Sequence, residues 1–329
     1  MRSLLLSVLL AAGLAAPGFA DEPFLKPNDV IALVGGEDMV AAAEYGYLEL
    51  LLTRALPARK LKFRCLAWEG DTVFEQRRDL NFPTWEEQLE KIGATVVICQ
   101  FGQMESLAGE MNMFAFSTAY EKLIKRFRAG GKRRIVVLSQ PGGLEGISRG
   151  RSEATSPRTP PPHGVHPSGA QDSTPPAGAS HPYPEMTIAV AARETRDSIH
   201  AAPSGHLKTA IEVAAALSSP GAVFKAAARP RDGDSVMSGL SSVSESGISE
   251  LPLLERLRQL IIAKNRLWHD YWRVQNWAFL AGDRTEQPSS RDHLDRTKRW
   301  FPEERERFLP LIEKKEQEIW ELAEKLAKE

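Results

Sequence analysis

Cysteine is scarce in this chain, with two residues, Cys65 and Cys99, among 329. A disulfide framework is therefore excluded, and one bridge is the most the sequence can form. Charge of one sign is lacking too. Lys and Arg number 42 against 43 Asp and Glu, for a net charge of −1. No broad basic field exists to hold a phosphate backbone, which excludes nucleic acid as a partner. Beyond the N-terminus no run reaches about 18 apolar residues, the length a spanning helix needs. Gly35-Gly36 follows a strand-like run, but the full Gly-x-Gly-x-x-Gly spacing of a dinucleotide loop is missing.

What is present begins with a leader. Arg2 gives a positive start, Leu4 to Leu14 a short apolar run, and Gly18-Phe19-Ala20 a small-x-small cleavage site. Residues 1–20 are expected to be a cleaved signal peptide, with a retained anchor as the other reading. Asp21 and Glu22 stand where a lipoprotein carries Cys. The mature chain is expected to be secreted or periplasmic.

Four apolar runs bounded by turn residues, Val30–Val34, Leu61–Trp68, Thr95–Phe101 and Arg134–Ser139, have the pattern of buried parallel strands. Helical spacing lies between them, over Met39–Leu56, Trp85–Ile92 and Met111–Phe127. The alternation predicts βαβ units and a parallel sheet covered on both faces. Cys65 and Cys99 fall inside two of these runs. An exported protein can pair them, but buried thiols on neighbouring strands are the preferred reading, because a disulfide needs special geometry.

Residues 142–185 are rich in Pro, Gly, Ser and His and hold almost nothing to bury, which predicts a disordered loop. A genuine insertion and a local reading-frame error are equally compatible with it. His163, His166 and His181 lie there, and so mobile a setting disfavours a metal sphere. Met186–Ala192 is a further strand candidate, and a helix is expected from about Ser204 to Leu217. A Ser-rich linker follows over 219–250. The tail, 251–329, reads as helical: Pro252 suits a first turn, and Leu253, Leu257, Leu260, Leu267, Trp268 and Tyr271 share one face. A helix opening at Pro302 would bury Phe308, Ile312, Ile319, Leu322 and Leu326. Trp268, Trp272, Trp277, Trp300 and Trp320 gather in this tail. Such rings can stack on sugars, but packing anchors are the favoured reading.

Open parallel sheets carry their sites at the carboxyl ends of strands. Those ends read Gly35-Gly36-Glu37-Asp38, Trp68-Glu69-Gly70-Asp71-Thr72 and Phe101-Gly102-Gln103-Met104-Glu105-Ser106, followed later by Asp197-Ser198-Ile199-His200 and Gly205-His206. In order and spacing these blocks resemble the SGNH hydrolases, or GDSL-type esterases, over roughly residues 28–218. The segment Ala263–Asn276 resembles one that follows such a domain in a group of exported bacterial proteins.

The resemblance implies a three-layer α/β/α domain with a flavodoxin-like parallel sheet over 21–218, extended by the helical tail. It also implies serine-esterase chemistry. In that scheme His200 is the base, Asp197 orients it, and Gly70 and Gly102 fit the oxyanion blocks. The nucleophile position, however, aligns with Glu37, and the oxyanion Asn position aligns with Met104. A chain lacking both cannot follow the covalent route. Three readings stand. One is a hydrolase of acyl esters, those of glycans included, in which Glu37 and His200 act on water without any cofactor or metal. The second is a non-catalytic relative that binds glycan or protein, with the aromatic tail offered to a protein partner. The third is a structural module of an exported assembly. The plainer readings are that His200 serves the helix that follows it, and that Glu37 and Asp38 are solvated first-turn acids.

Overall fold

The computed structural model describes residues 24–107, 113–139, 186–190, 195–197, 200–218, 248 and 251–328. The leader, the Pro-rich segment with its three histidines, and all of the Ser-rich linker but Ile248 lie outside the described residues.

Five strands form one parallel sheet in the order β2-β1-β3-β4-β5. They are β1 (Val30–Gly35), β2 (Lys62–Cys65), β3 (Val96–Gln100), β4 (Arg134–Ser139) and β5 (Met186–Ala189). β1 pairs with both β2 and β3, with Leu33 opposite Cys65 and opposite Ile98. Alternation along the strands divides the core. Ile31, Leu33, Phe63, Val96, Ile98, Val136 and Leu138 face α1 (Glu37–Tyr45), α2 (Tyr47–Ala55) and α6 (Pro203–Ser218). Ala32, Val34, Val97, Cys99, Ile135 and Val137 face α3 (Trp85–Lys91) and α5 (Met113–Arg128). The single helix expected over Met39–Leu56 is two. Gly46, at φ 72°, breaks it, and a Cβ there would meet Ile261 at 3.2 Å and Ile262 at 3.3 Å. The bend carries the chain past the tail.

The strand order settles the cysteines. They do not lie on neighbouring strands, because β1 runs between β2 and β3. Two strand spacings are about 9.6 Å, beyond the roughly 7 Å limit for a disulfide. Both thiols are free. Burial pushes Cys65 up to about 11 and Cys99 up to about 12.

The tail packs directly on this domain. α7 (Pro252–Trp272) places Leu257 and Ile261 in one core and Trp268, Tyr271 and Trp272 in the other, so it wraps the β2 edge of the sheet. The helix expected from Pro302 is also two, α9 (Trp300–Glu306) and α10 (Phe308–Leu326), after the one-turn α8 (Trp277–Leu280). An edge strand presents unpaired carbonyls at alternate residues. Here Trp320 Nε1 donates to Leu61 O at 3.1 Å, Lys264 Nζ to Phe63 O at 3.3 Å, and Trp268 Nε1 to Cys65 O at 2.8 Å. Trp277 Nε1 donates to Leu80 O, and Trp272 Nε1 to Gln88 Oε1. Four of the five tail tryptophans therefore anchor the tail to the α/β domain, and Trp300 stays 39% exposed.

Candidate functional site

The sheet's strand order reverses between β1 and β3, and the exits of β1, β2 and β3 meet there. At the end of β1 the backbone of Gly35 (φ 151°) lies against β3, where a Cβ would stand 2.1 Å from Gln100 O. Only glycine permits that approach. α1 starts immediately afterwards, with Glu37 half-buried and Asp38 buried. The exit of β2 is held by Trp68 N–H donating to Gly35 O at 3.2 Å, and it turns through Gly70 at φ 80°. Asp71 is buried against Arg78, which grips it with two hydrogen bonds of 2.7 and 2.6 Å. Burial raises the Asp71 carboxyl above its ordinary value, with Arg78 pulling the other way. At the exit of β3, Gly102 begins the one-turn α4 (Gln103–Ser106). The Glu105 carboxylate accepts from Gly102 N at 2.9 Å and from Val73 N at 2.7 Å, tying the β3 exit to the β2 exit.

Between these exits lies a cavity of about 10 Å³, lined by Gly36, Asp38, Asp71, Gln100, Phe101, Gly102, Gln103, Met104 and Glu105. Among the described residues, no hydroxyl or thiol side chain lines it. A second cavity of about 10 Å³ shares Asp38 and Gln100 and continues beneath α6, where Tyr47, Leu138, His206 and Thr209 line it.

The expected site residues are distributed as follows. Gly102 lines the first cavity, although its N–H already serves Glu105, and Met104 lines it as well. Glu37 and Gly70 are not lining residues; their neighbours Asp38 and Asp71 are. His200 and Asp197 pair with each other at 2.6 Å (Nδ1 to Oδ2), and His200 N–H donates to Asp197 Oδ1 at 2.7 Å. This pair is partly exposed and lines neither cavity. Sequence reasoning passed over Asp38, Gln100 and His206. The signal for Gln100 was a glutamine inside an apolar strand run, since a buried polar side chain requires a reason. For Asp38 it was helical spacing, because Asp38, Met39 and Ala42 share the face of α1 that lines the second cavity.

Among the described residues, no group of three or more His, Cys, Asp or Glu side chains could hold a metal ion, and no helix is long and apolar enough to cross a membrane. No protein-family model matches the chain, and no curated protein matches it. Among solved structures, a gut microbial diltiazem-metabolizing enzyme is similar over 36% of this chain and 28% of its own, at 16% identity and a TM-score of 0.28. The chain thus spans less than a third of that enzyme's length, and a likeness of this size speaks to neither activity nor substrate.

Proposed function

We infer that this chain is a divergent SGNH-like hydrolase that cleaves acyl esters, glycan esters included, by activating water rather than forming an acyl-enzyme. One observation carries the reading. The crevice at the switch point brings together three buried carboxylates, Asp38, Asp71 and Glu105, with Gln100, and no hydroxyl or thiol stands on its walls among the described residues. Arg78 holds both oxygens of Asp71, the Gly102 and Val73 amides hold those of Glu105, and Asp38 lines both cavities, so Asp38 is the carboxylate assigned to take a proton from water alongside its protein contacts. Glu37, the first candidate for that task, yields it to its neighbour. His200, oriented by Asp197, is assigned to protonate the leaving alcohol.

The test is hydrolysis of short-chain aryl esters and acetylated sugars by the purified chain. Turnover should proceed without a burst, and Asp38→Asn should lower it by about 100- to 10,000-fold, the usual contribution of a general base. Stoichiometric labelling of the unmodified protein by a phosphonate serine-hydrolase probe, mapped beside His200, would overturn the water route. A second reading, a non-catalytic binder of glycan or protein, is favoured by the exposed Trp300, which stacks on Phe301 with ring centroids 4.0 Å apart. Silence toward every ester, together with glycan binding lost in Trp300→Ala, would select it.

A further inference from the structure

Gln100 closes β3 at the point where β1 comes nearest, and its side chain is 3% exposed. Its Nε2 is buried with no hydrogen-bond partner. Leaving such a donor unmade is unfavourable, and leucine would fill a similar space without that penalty. Gln100, from β3, and Asp38, from α1, are the two residues common to the linings of both cavities. Each cavity measures about 10 Å³, on the scale of a single water molecule. The donor at the family's oxyanion Asn position is gone, because Met104 stands there and the Gly102 amide is committed to Glu105.

We propose that Gln100 Nε2 and the Asp38 carboxylate form a two-sided site for one solvent molecule at the head of the crevice, and that this is the hydrolytic water. The proposal rests on the ester-hydrolase reading above and names the residues that would hold its nucleophile. An amide N–H donates to the water oxygen and leaves the water's own proton aimed at the carboxylate. A carboxylate accepts about four hydrogen bonds, so Asp38 can take that proton alongside its protein contacts. In the reaction one water O–H bond breaks and its proton passes to Asp38. The oxygen then bonds to the acyl carbon. The C–O bond to the alcohol breaks, and the alkoxide leaves with a proton from His200. Ester and water become acid and alcohol, and solvent exchange returns Asp38 and His200 to their starting states. Gln100 is then a catalytic residue, since it touches the attacking oxygen.

Two measurements test this on the full chain. In a high-resolution crystal structure, a solvent oxygen should stand within about 3.2 Å of both Gln100 Nε2 and an Asp38 oxygen. The variant Gln100→Leu should lose that oxygen, keep or raise its Tm, and hydrolyse p-nitrophenyl acetate with kcat lower by about 100-fold at an unchanged KM, comparable to the loss of one preorganised donor. Gln100→Glu, which keeps the shape but replaces the donor with an acceptor, should lose activity to a similar degree, and it stands in if the leucine variant fails to fold. The proposal is overturned if no oxygen bridges the two side chains, or if either folded variant keeps the wild-type kcat. If the wild-type chain hydrolyses no ester, the hydrolase reading falls by itself, and the solvent site is then decided by the crystal structure alone.

Discussion

Lys264 is fully buried on α7, its Nζ 2.9 Å from Glu49 Oε2 of α2. Removing the charge while keeping the volume, as in Lys264→Met, leaves a buried carboxylate without its counter-ion. At an effective dielectric near 20, the attraction lost at 2.9 Å is about 6 kcal/mol. Glu49 has an escape, because it can take up a proton. Its ordinary value is 4.5, so protonation at pH 7 costs at most about 3.5 kcal/mol, from roughly 1.4 kcal/mol per pH unit. The smaller figure governs, and a loss of about 3 kcal/mol is expected at pH 7, in line with other broken buried pairs. Burial already raises Glu49 in the wild type, against the pull of Lys264. A carboxyl raised in the folded state binds its proton more tightly folded than unfolded. The stability it contributes is present at low pH and is lost as pH rises through the folded value. Without Lys264 that value climbs further, so the variant's deficit should shrink to about 1 kcal/mol or less at pH 5. Urea unfolding followed by tryptophan fluorescence at both pH values measures this, since Trp268 and Trp320 bond to the same β2 edge as Lys264. Lys264→Met combined with Glu49→Gln should return to within about 1 kcal/mol of wild type. A deficit that is equal at both pH values, or that grows as pH falls, would refute the reasoning.

Three further outcomes are expected. Gly46→Ala should destabilise by about 1–3 kcal/mol in the same unfolding assay, because its φ of 72° disfavours a side chain and the new Cβ meets Ile261 and Ile262. Cys65 and Cys99, with thiols pushed up to about 11 and about 12, should be inert to a thiol reagent at pH 8 in the native protein and react fully in denaturant, and a non-reducing digest should show no bridge between them. Trp320→Phe keeps most of the packing but removes the donor to Leu61 O, so a loss of about 1 kcal/mol is expected by urea titration.

The strands were legible because a strand buried on both faces must be apolar almost throughout, and short runs such as Arg134–Ser139 carry that demand within themselves. Local chemistry likewise set the capping box at Thr84 and Glu87, which opens α3. That the turns after β1, β2 and β3 border one crevice was legible, because the carboxyl ends of parallel strands meet at a switch point. Which side chain faces the crevice was not. Glu37 and Asp38 are adjacent acids of one kind, and only the angle at which α1 leaves Gly36 turns Asp38 inward. Strand order was equally beyond local pattern, since nothing within β2 or β3 states that β1 lies between them, and that order alone keeps Cys65 and Cys99 apart. The break at Gly46 and the pairing of Lys264 with Glu49 depend on α7, more than 200 residues away from Glu49 in the chain. The sequence by itself determined which segments could be strands, which helices were amphipathic and where turns must fall, since propensity and periodicity act over a few residues. Tertiary structure decided the order of the strands, the closing of the β2 edge by three side-chain donors and the choice of Asp38 over Glu37. Each of those depends on groups meeting across the fold, and burial and hydrogen bonding have a preference only once they meet.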